Sequence, residues 1–144
     1  MTLNHAEIEG CVPHAGTMCL LDAVLEWDAT DIACAAAAPC ASHPLARDGL
    51  VPAVAAAEYA AQATAVHGAL LGDEAVRRAG MLAKLSDVEL HTACFPSNGG
   101  PLTVRAELLS RGASGCMYAF EVIDSQQPIA SGRLIVAFTL SSAR

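Results

Sequence analysis

Of the side chains in this sequence that can move protons, one carboxylate stands in unusual company. Glu58 lies inside PAVAAAEYAAQATAVHGALL, residues 52–71, a run that is apolar on nearly every side. Gln62 stands four positions on, one helical turn above Glu58 on the same face. Burying an isolated carboxylate costs several kcal/mol, and such costs persist where the group is used. Desolvation by Val54, Ala55, Ala61, Ala65 and a covering sheet would favour the protonated form near neutral pH, the state a general acid needs. A plain reading stays open beside this one, in which Glu58 reaches solvent at a subunit edge or is simply held by Gln62 or a backbone amide.

Five histidines could complete an acid–base pair: His5, His14, His43, His67 and His91. His43 ranks first because Cys40 to Val51 is irregular and polar, with Ser42-His43-Pro44 and Arg47-Asp48-Gly49 reading as loop. Loop side chains just ahead of a helix can converge on a cleft. His67 lies nine positions beyond Glu58, and nine steps of about 100° place it on the opposite helix face. His5 is near a terminus, His14 follows Pro13 in a turn, and His91 ends a strand, so structural roles suit them better. Phosphate-loop and dinucleotide patterns are absent: Gly99-Gly100 precedes a strand rather than a helix, and no G-x-S-x-G elbow occurs.

The elements that must position these groups follow from periodicity. Residues 52–71 read as one buried, alanine-rich helix, with Pro52 at its first position and Gly72 in the αL position after its last turn. Before it, Met18 to Leu25 reads as a strand ending near Trp27, and Asp31 to Pro39 as a second, although its alanines leave helix open. After it, Asp73 to Arg78 suggests a turn and Gly80 to His91 a long strand. Asn98-Gly99-Gly100-Pro101 is a turn. Leu102, Val104, Ala106 and Leu108 alternate with Thr103, Arg105 and Glu107, giving a strand with one wet face. Cys116 to Ile123 and Ile129 to Leu140 complete a meander, and Ser141 to Arg144 should fray. The expectation is a single α+β domain over residues 1–144, a central helix wrapped by a curved antiparallel sheet of about five to six strands.

Composition narrows the partners. A net charge of −7 argues against nucleic acid or anionic membrane. Hydrophobic residues reach 53%, yet no run of about 18 residues lacks polar interruption, so no membrane span is expected. The start MTLNHAEIEG shows no basic region ahead of an apolar core, which points to a cytoplasmic protein. The six cysteines (Cys11, Cys19, Cys34, Cys40, Cys94, Cys116) show neither CxxC nor zinc-finger spacing. They read as reduced core residues, and no metal site is expected.

The string His43-Pro44, Pro52-Ala53-Val54, Glu58-Tyr59-Ala60-Ala61-Gln62 resembles the hotdog-fold β-hydroxyacyl-ACP dehydratases, whose loop carries a catalytic His and whose central helix carries a catalytic Glu. Pro13-His14 with Met18-Cys19-Leu20-Leu21-Asp22, and Leu85-Ser86-Asp87-Val88-Glu89 before Pro101-Leu102, extend the likeness from about Pro13 to Phe138. Within that family the chain looks most like the divergent dehydratase-like group associated with bacterial aryl-polyene and related pigment pathways. It departs at two points: the span from His43 to Glu58 is one residue longer than usual, and the family's Pro-Gly at the helix start is here Pro52-Ala53.

The resemblance implies a hotdog fold and dehydration of a 3-hydroxyacyl thioester to a trans-2-enoyl thioester. It makes His43 the base and Glu58 the acid, meeting across a dimer interface, with Ala53, Val54 and Gln62 as substrate-binding residues. The amides near Ala53 and Val54 would stabilise the enolate-like oxygen, and Gln62 would hold Glu58 or the departing water. The implied partners are an acyl thioester on carrier protein or CoA and a second subunit, identical or related. No cofactor is implied, since phosphopantetheine enters only as the substrate's carrier arm. Arg77, Arg78, Lys84 and Arg105 are candidates for docking an acidic carrier. A thioesterase of the same fold and an inert dehydratase-like subunit are the rival readings.

Overall fold

The computed structural model describes residues 3–9, 19–40, 42–72, 80–96, 99–125 and 127–138. The expected Pro13-His14 turn, Met18, Cys11, the turn over Asp73 to Arg78, Asn98 and the frayed end lie outside the described residues.

The helix forms because Pro52 enters it in extended backbone (φ −62, ψ 145) and alanines then carry it forward. A short 3₁₀ turn over Ala53–Ala55 leads into α2, Ala56–Leu70. Gly72, at φ +76, ends the helix with its N–H on Ala69 O, the left-handed conformation that glycine adopts without a Cβ penalty. A short helix, α1 (His5–Glu9), buries Ile8 and was not expected from the sequence.

Seven antiparallel strands wrap α2, more than the five to six expected. They are β1 (Leu3–Asn4), β2 (Ala23–Trp27), β3 (Asp31–Ala36), β4 (Gly80–Leu90), β5 (Leu102–Arg111), β6 (Gly115–Asp124) and β7 (Pro128–Phe138), in the order β1-β2-β3-β5-β6-β7-β4. Leu102, Val104 and Ala106 of β5 and Tyr118, Phe120 and Val122 of β6 face the helix, so α2 and the sheet share one core. The alanine-rich segment that left helix open is strand β3, because it pairs with β2 on one side and, from Asp31 to Ala36, with β5 on the other. β2 begins only at Ala23, since the Leu20 amide turns away to the Gln62 side chain.

β4 is an edge of the sheet and is bulged between Ser86 and Glu89, with Asp87 at φ +52. Gly132 of β7 lies under the bulge: a Cβ there would sit 3.0 Å from the Val88 Cα. Val88 and Leu90 remain 37% and 49% exposed along this edge.

Candidate functional site

One antiparallel backbone bridge pins the start of the helix. Pro52 pairs with Cys94 through two hydrogen bonds, Phe95 N–H to Val51 O and Ala53 N–H to Ala93 O. The Ala53 amide is therefore already occupied, and Ala55 N–H bonds Pro52 O. Among the described residues no acceptor takes the Val54 N–H, which narrows the two expected helix-start donors to one. Ala53 is fully buried, whereas Val54 is 56% exposed.

Glu58 is half-buried within the chain, not enclosed as its apolar neighbours suggested. The helix is covered by the sheet on one side only, and Val54, Ala57, Glu58, Ala61 and Ala65 form its open face. Gln62 is buried, and the Leu20 N–H donates to its Oε1 at 2.8 Å. That contact fixes the orientation of the amide, so its Nε2–H donates to Glu58 Oε2 at 2.9 Å. The carboxylate thus meets a donor whose direction is set by the backbone.

Two turns build the His43 loop. His43 N–H bonds Cys40 O and Ala46 N–H bonds His43 O. Arg47 and Leu50 then exchange backbone bonds around Asp48 and Gly49, both at positive φ, the geometry of a tight type I′ hairpin. The ring of His43 is half-buried, with its Nδ1 3.0 Å from the Leu45 amide and its Nε2 3.1 Å from the Tyr59 hydroxyl. Burial holds its pKa below the ordinary histidine value. Tyr59, 2% exposed, also packs against Phe95 at 5.8 Å between ring centroids, and burial pushes its pKa up, so its hydroxyl stays protonated. The sequence reading gave Tyr59 no role. The available signal was a phenol in a buried alanine helix, whose hydroxyl requires a partner.

The remaining candidates separate from this region. His67 is fully buried, its Nδ1 2.6 Å from the Tyr118 hydroxyl and its Nε2 2.8 Å from Asp28 O. His5 contacts Leu21 O and His91 contacts Ser131, while His14 lies outside the described residues. Cys19, Cys34 and Cys116 are buried as expected, and burial pushes the Cys34 thiol up to about 12. Cys94 is half-buried and Cys40 exposed, because Cys40 lies in the loop, where its Sγ contacts the Ser42 hydroxyl. Arg105 sits 3.8 Å from Glu26 and across from Glu121, Lys84 lies on the β4 edge, and Arg77 and Arg78 are outside the described residues. A cavity of about 480 Å³ opens among Glu26, Trp27, Arg105, Glu107 and Glu121, and nothing from α2 or the His43 loop lines it. Among the described residues, no group of three or more His, Cys, Asp or Glu is placed to hold a metal, and no helix is long and apolar enough to cross a membrane.

Against known families, residues 6–141 match the ApeP-like family, described as ApeP dehydratase. The chain belongs to the ApeP-like dehydratase family. Among solved structures, it is similar to the dehydratase heterocomplex ApeI:P from Xenorhabdus doucetiae, with a TM-score of 0.79, 21% identity and coverage of 94% of this chain and 92% of that one. A thioesterase from Pseudomonas aeruginosa is similar at TM-score 0.65 and 12% identity, covering 95% and 94% of the two chains. The PaaI protein from the phenylacetic acid degradation operon of E. coli follows at TM-score 0.63 and 16% identity, with 92% and 90% covered. These likenesses establish the hotdog fold for this ApeP-like chain. Comparison with curated protein sequences gives no match.

Proposed function

We propose that this ApeP-like protein eliminates water from a 3-hydroxyacyl thioester, carried on acyl carrier protein or CoA, to give the trans-2-enoyl thioester. The observation that carries the reading is the arrangement at Glu58: a carboxylate on the open face of an otherwise packed helix, oriented by a glutamine that the Leu20 amide locks in place. A half-buried carboxylate held in a fixed orientation by a donor is suited to moving a proton of a bound substrate.

No contact joins Glu58 to His43 among those of the described residues in the single chain; His43 reaches Tyr59 instead. The reading therefore places the two groups across a subunit boundary, Glu58 of one subunit facing the His43 loop of its neighbour. Exposed Val54 at the helix start and exposed Val88 and Leu90 on the β4 edge supply apolar surface for such a partner. A related dehydratase subunit is favoured, in line with the heterocomplex described for the similar Xenorhabdus protein. The Val54 amide, at the positive end of α2, would donate to the thioester oxygen as negative charge develops there.

Mass spectrometry of a 3-hydroxyacyl thioester incubated with the protein and its partner subunit tests the proposal. Loss of water is the expected outcome. Loss of the carrier would establish a thioesterase, and an unchanged substrate an inert subunit.

A further inference from the structure

The short stretch just ahead of β2, residues 19–22, touches both the helix and the loop of the proposed site. Near its start the Leu20 N–H fixes Gln62 and, through it, Glu58. At its end Asp22 reaches the chain as that chain leaves β3. The Asp22 backbone N–H donates to Ala35 O at 2.8 Å, and the Asp22 side-chain Oδ2 accepts the Ala37 N–H at 2.8 Å. Ala37 is the first residue beyond β3 and lies six positions ahead of His43. A carboxylate acceptor makes this a charge-assisted bond, stronger than one between neutral groups.

The carboxylate's other neighbour is weaker. His5 Nδ1 stands 3.7 Å from Oδ1 but only 2.9 Å from Leu21 O, and both side chains are about half exposed. Asp22 also lies close to the partner of the His43 ring: burial, and after it the negative charges of Asp22 and Cys40, push the Tyr59 hydroxyl pKa up. The far end of the loop is tied by the Arg47–Leu50 and Pro52–Cys94 bridges. The Asp22 carboxylate supplies the tie at the near end.

We propose that Asp22 is a positioning residue for the reaction proposed above: by gripping Ala37 while Leu20 grips Gln62, it sets the His43 loop on the same frame as the Glu58 helix. The inference rests on the dehydratase reading, in which each loop faces the Glu58 of the neighbouring subunit. Asp22 touches no substrate. It acts through the loop, and a reacting group displaced by about 1 Å can lose about 10²-fold in rate. Its effect therefore belongs in kcat and not in substrate affinity.

The test compares two variants of the full chain with its partner subunit. Asp22→Ala removes the acceptor, whereas Asp22→Asn loses the charge but keeps an oxygen for the Ala37 N–H. Asp22→Ala should lose about 10- to 10²-fold in kcat with KM within about 2-fold of native, while Asp22→Asn should stay within about 3-fold of native kcat. Native kcat in Asp22→Ala, a loss confined to KM, or equal losses in both variants overturns the proposal. Because Asp22 is half-exposed, both variants should keep the native circular-dichroism spectrum. An unfolded Asp22→Ala makes Asp22 a folding residue and overturns the proposal too. A second measurement needs no turnover. The NMR cross-peak between the His43 and Tyr59 rings, 5.9 Å apart between centroids, should weaken in Asp22→Ala and return in Asp22→Asn. An unchanged cross-peak in Asp22→Ala overturns the proposal. A native protein that turns over no thioester defeats the dehydratase reading itself, and the cross-peak then decides whether Asp22 positions the loop.

Discussion

The two ends of α2 each place a histidine beside a tyrosine, and in both pairs one ring nitrogen meets the tyrosine hydroxyl and the other a backbone group. At the C-terminal end, the Nε2–H of His67 donates to the Asp28 carbonyl and its Nδ1 lies 2.6 Å from the Tyr118 hydroxyl. Both partners are fixed, the ring is fully buried, and its hydrogen bonds join helix, β6 and the end of β2. At the N-terminal end, His43 accepts from the Leu45 amide and donates to the Tyr59 hydroxyl, but its ring is only half-buried and comes from a loop. A hydroxyl acceptor can be replaced by a substrate oxygen, while a carbonyl inside a packed core cannot. The same residue pair is thus a structural clamp at one end and open to exchange with a substrate at the other, and the difference lies in access.

If the N-terminal end is the chemical one, Glu58→Gln should lower kcat by about 10⁴-fold, the upper range for one positioned acid–base group, without lowering the melting temperature. Retained turnover in steady-state assays would remove the distinction between the two ends. His67→Ala should instead cost about 2–4 kcal/mol in urea unfolding, since it opens a cavity and removes the ring's bonds to the Tyr118 hydroxyl and the Asp28 carbonyl. Its activity per folded molecule should stay near native, and a specific loss of kcat would contradict a purely structural His67. Tyr118→Phe tests the same clamp more gently and should cost about 1–2 kcal/mol by the same measurement.

The smallest expected effect is on acid stability. The folded pKa of His43 lies below its ordinary value of 6.5 because burial disfavours the charged ring. The unfolded chain then binds the proton more readily, so stability is complete above about 6.5 and falls as pH drops through the lowered folded value. Urea midpoints measured from pH 7 to 5 should fall less steeply in His43→Gln than in the native protein.

The order of elements could be read from the residues because their local signals agree. Pro52 and Gly72 bound an alanine-rich run, and Leu102 to Leu108 alternates with the period of a half-wet strand. The elements that were missed or unresolved depend on distant partners. Segment 31–36 has too many alanines to declare itself, and pairing with β2 and β5 makes it a strand. The bulge at Asp87 arises where Val88 packs over Gly132, forty-four residues away in sequence.

At the site, the sequence by itself determined the residue types and the helical spacing, which put Glu58 and Gln62 on one face and His67 on the other. Backbone periodicity is a local property, and it carries that much. Only the tertiary structure decided the long-range hydrogen bonds: that the Leu20 amide turns Gln62 toward Glu58, and that Tyr59 rather than Glu58 meets His43 within the chain. Whether a side chain donates or accepts depends on which neighbour it is folded against, and helical spacing does not specify that neighbour.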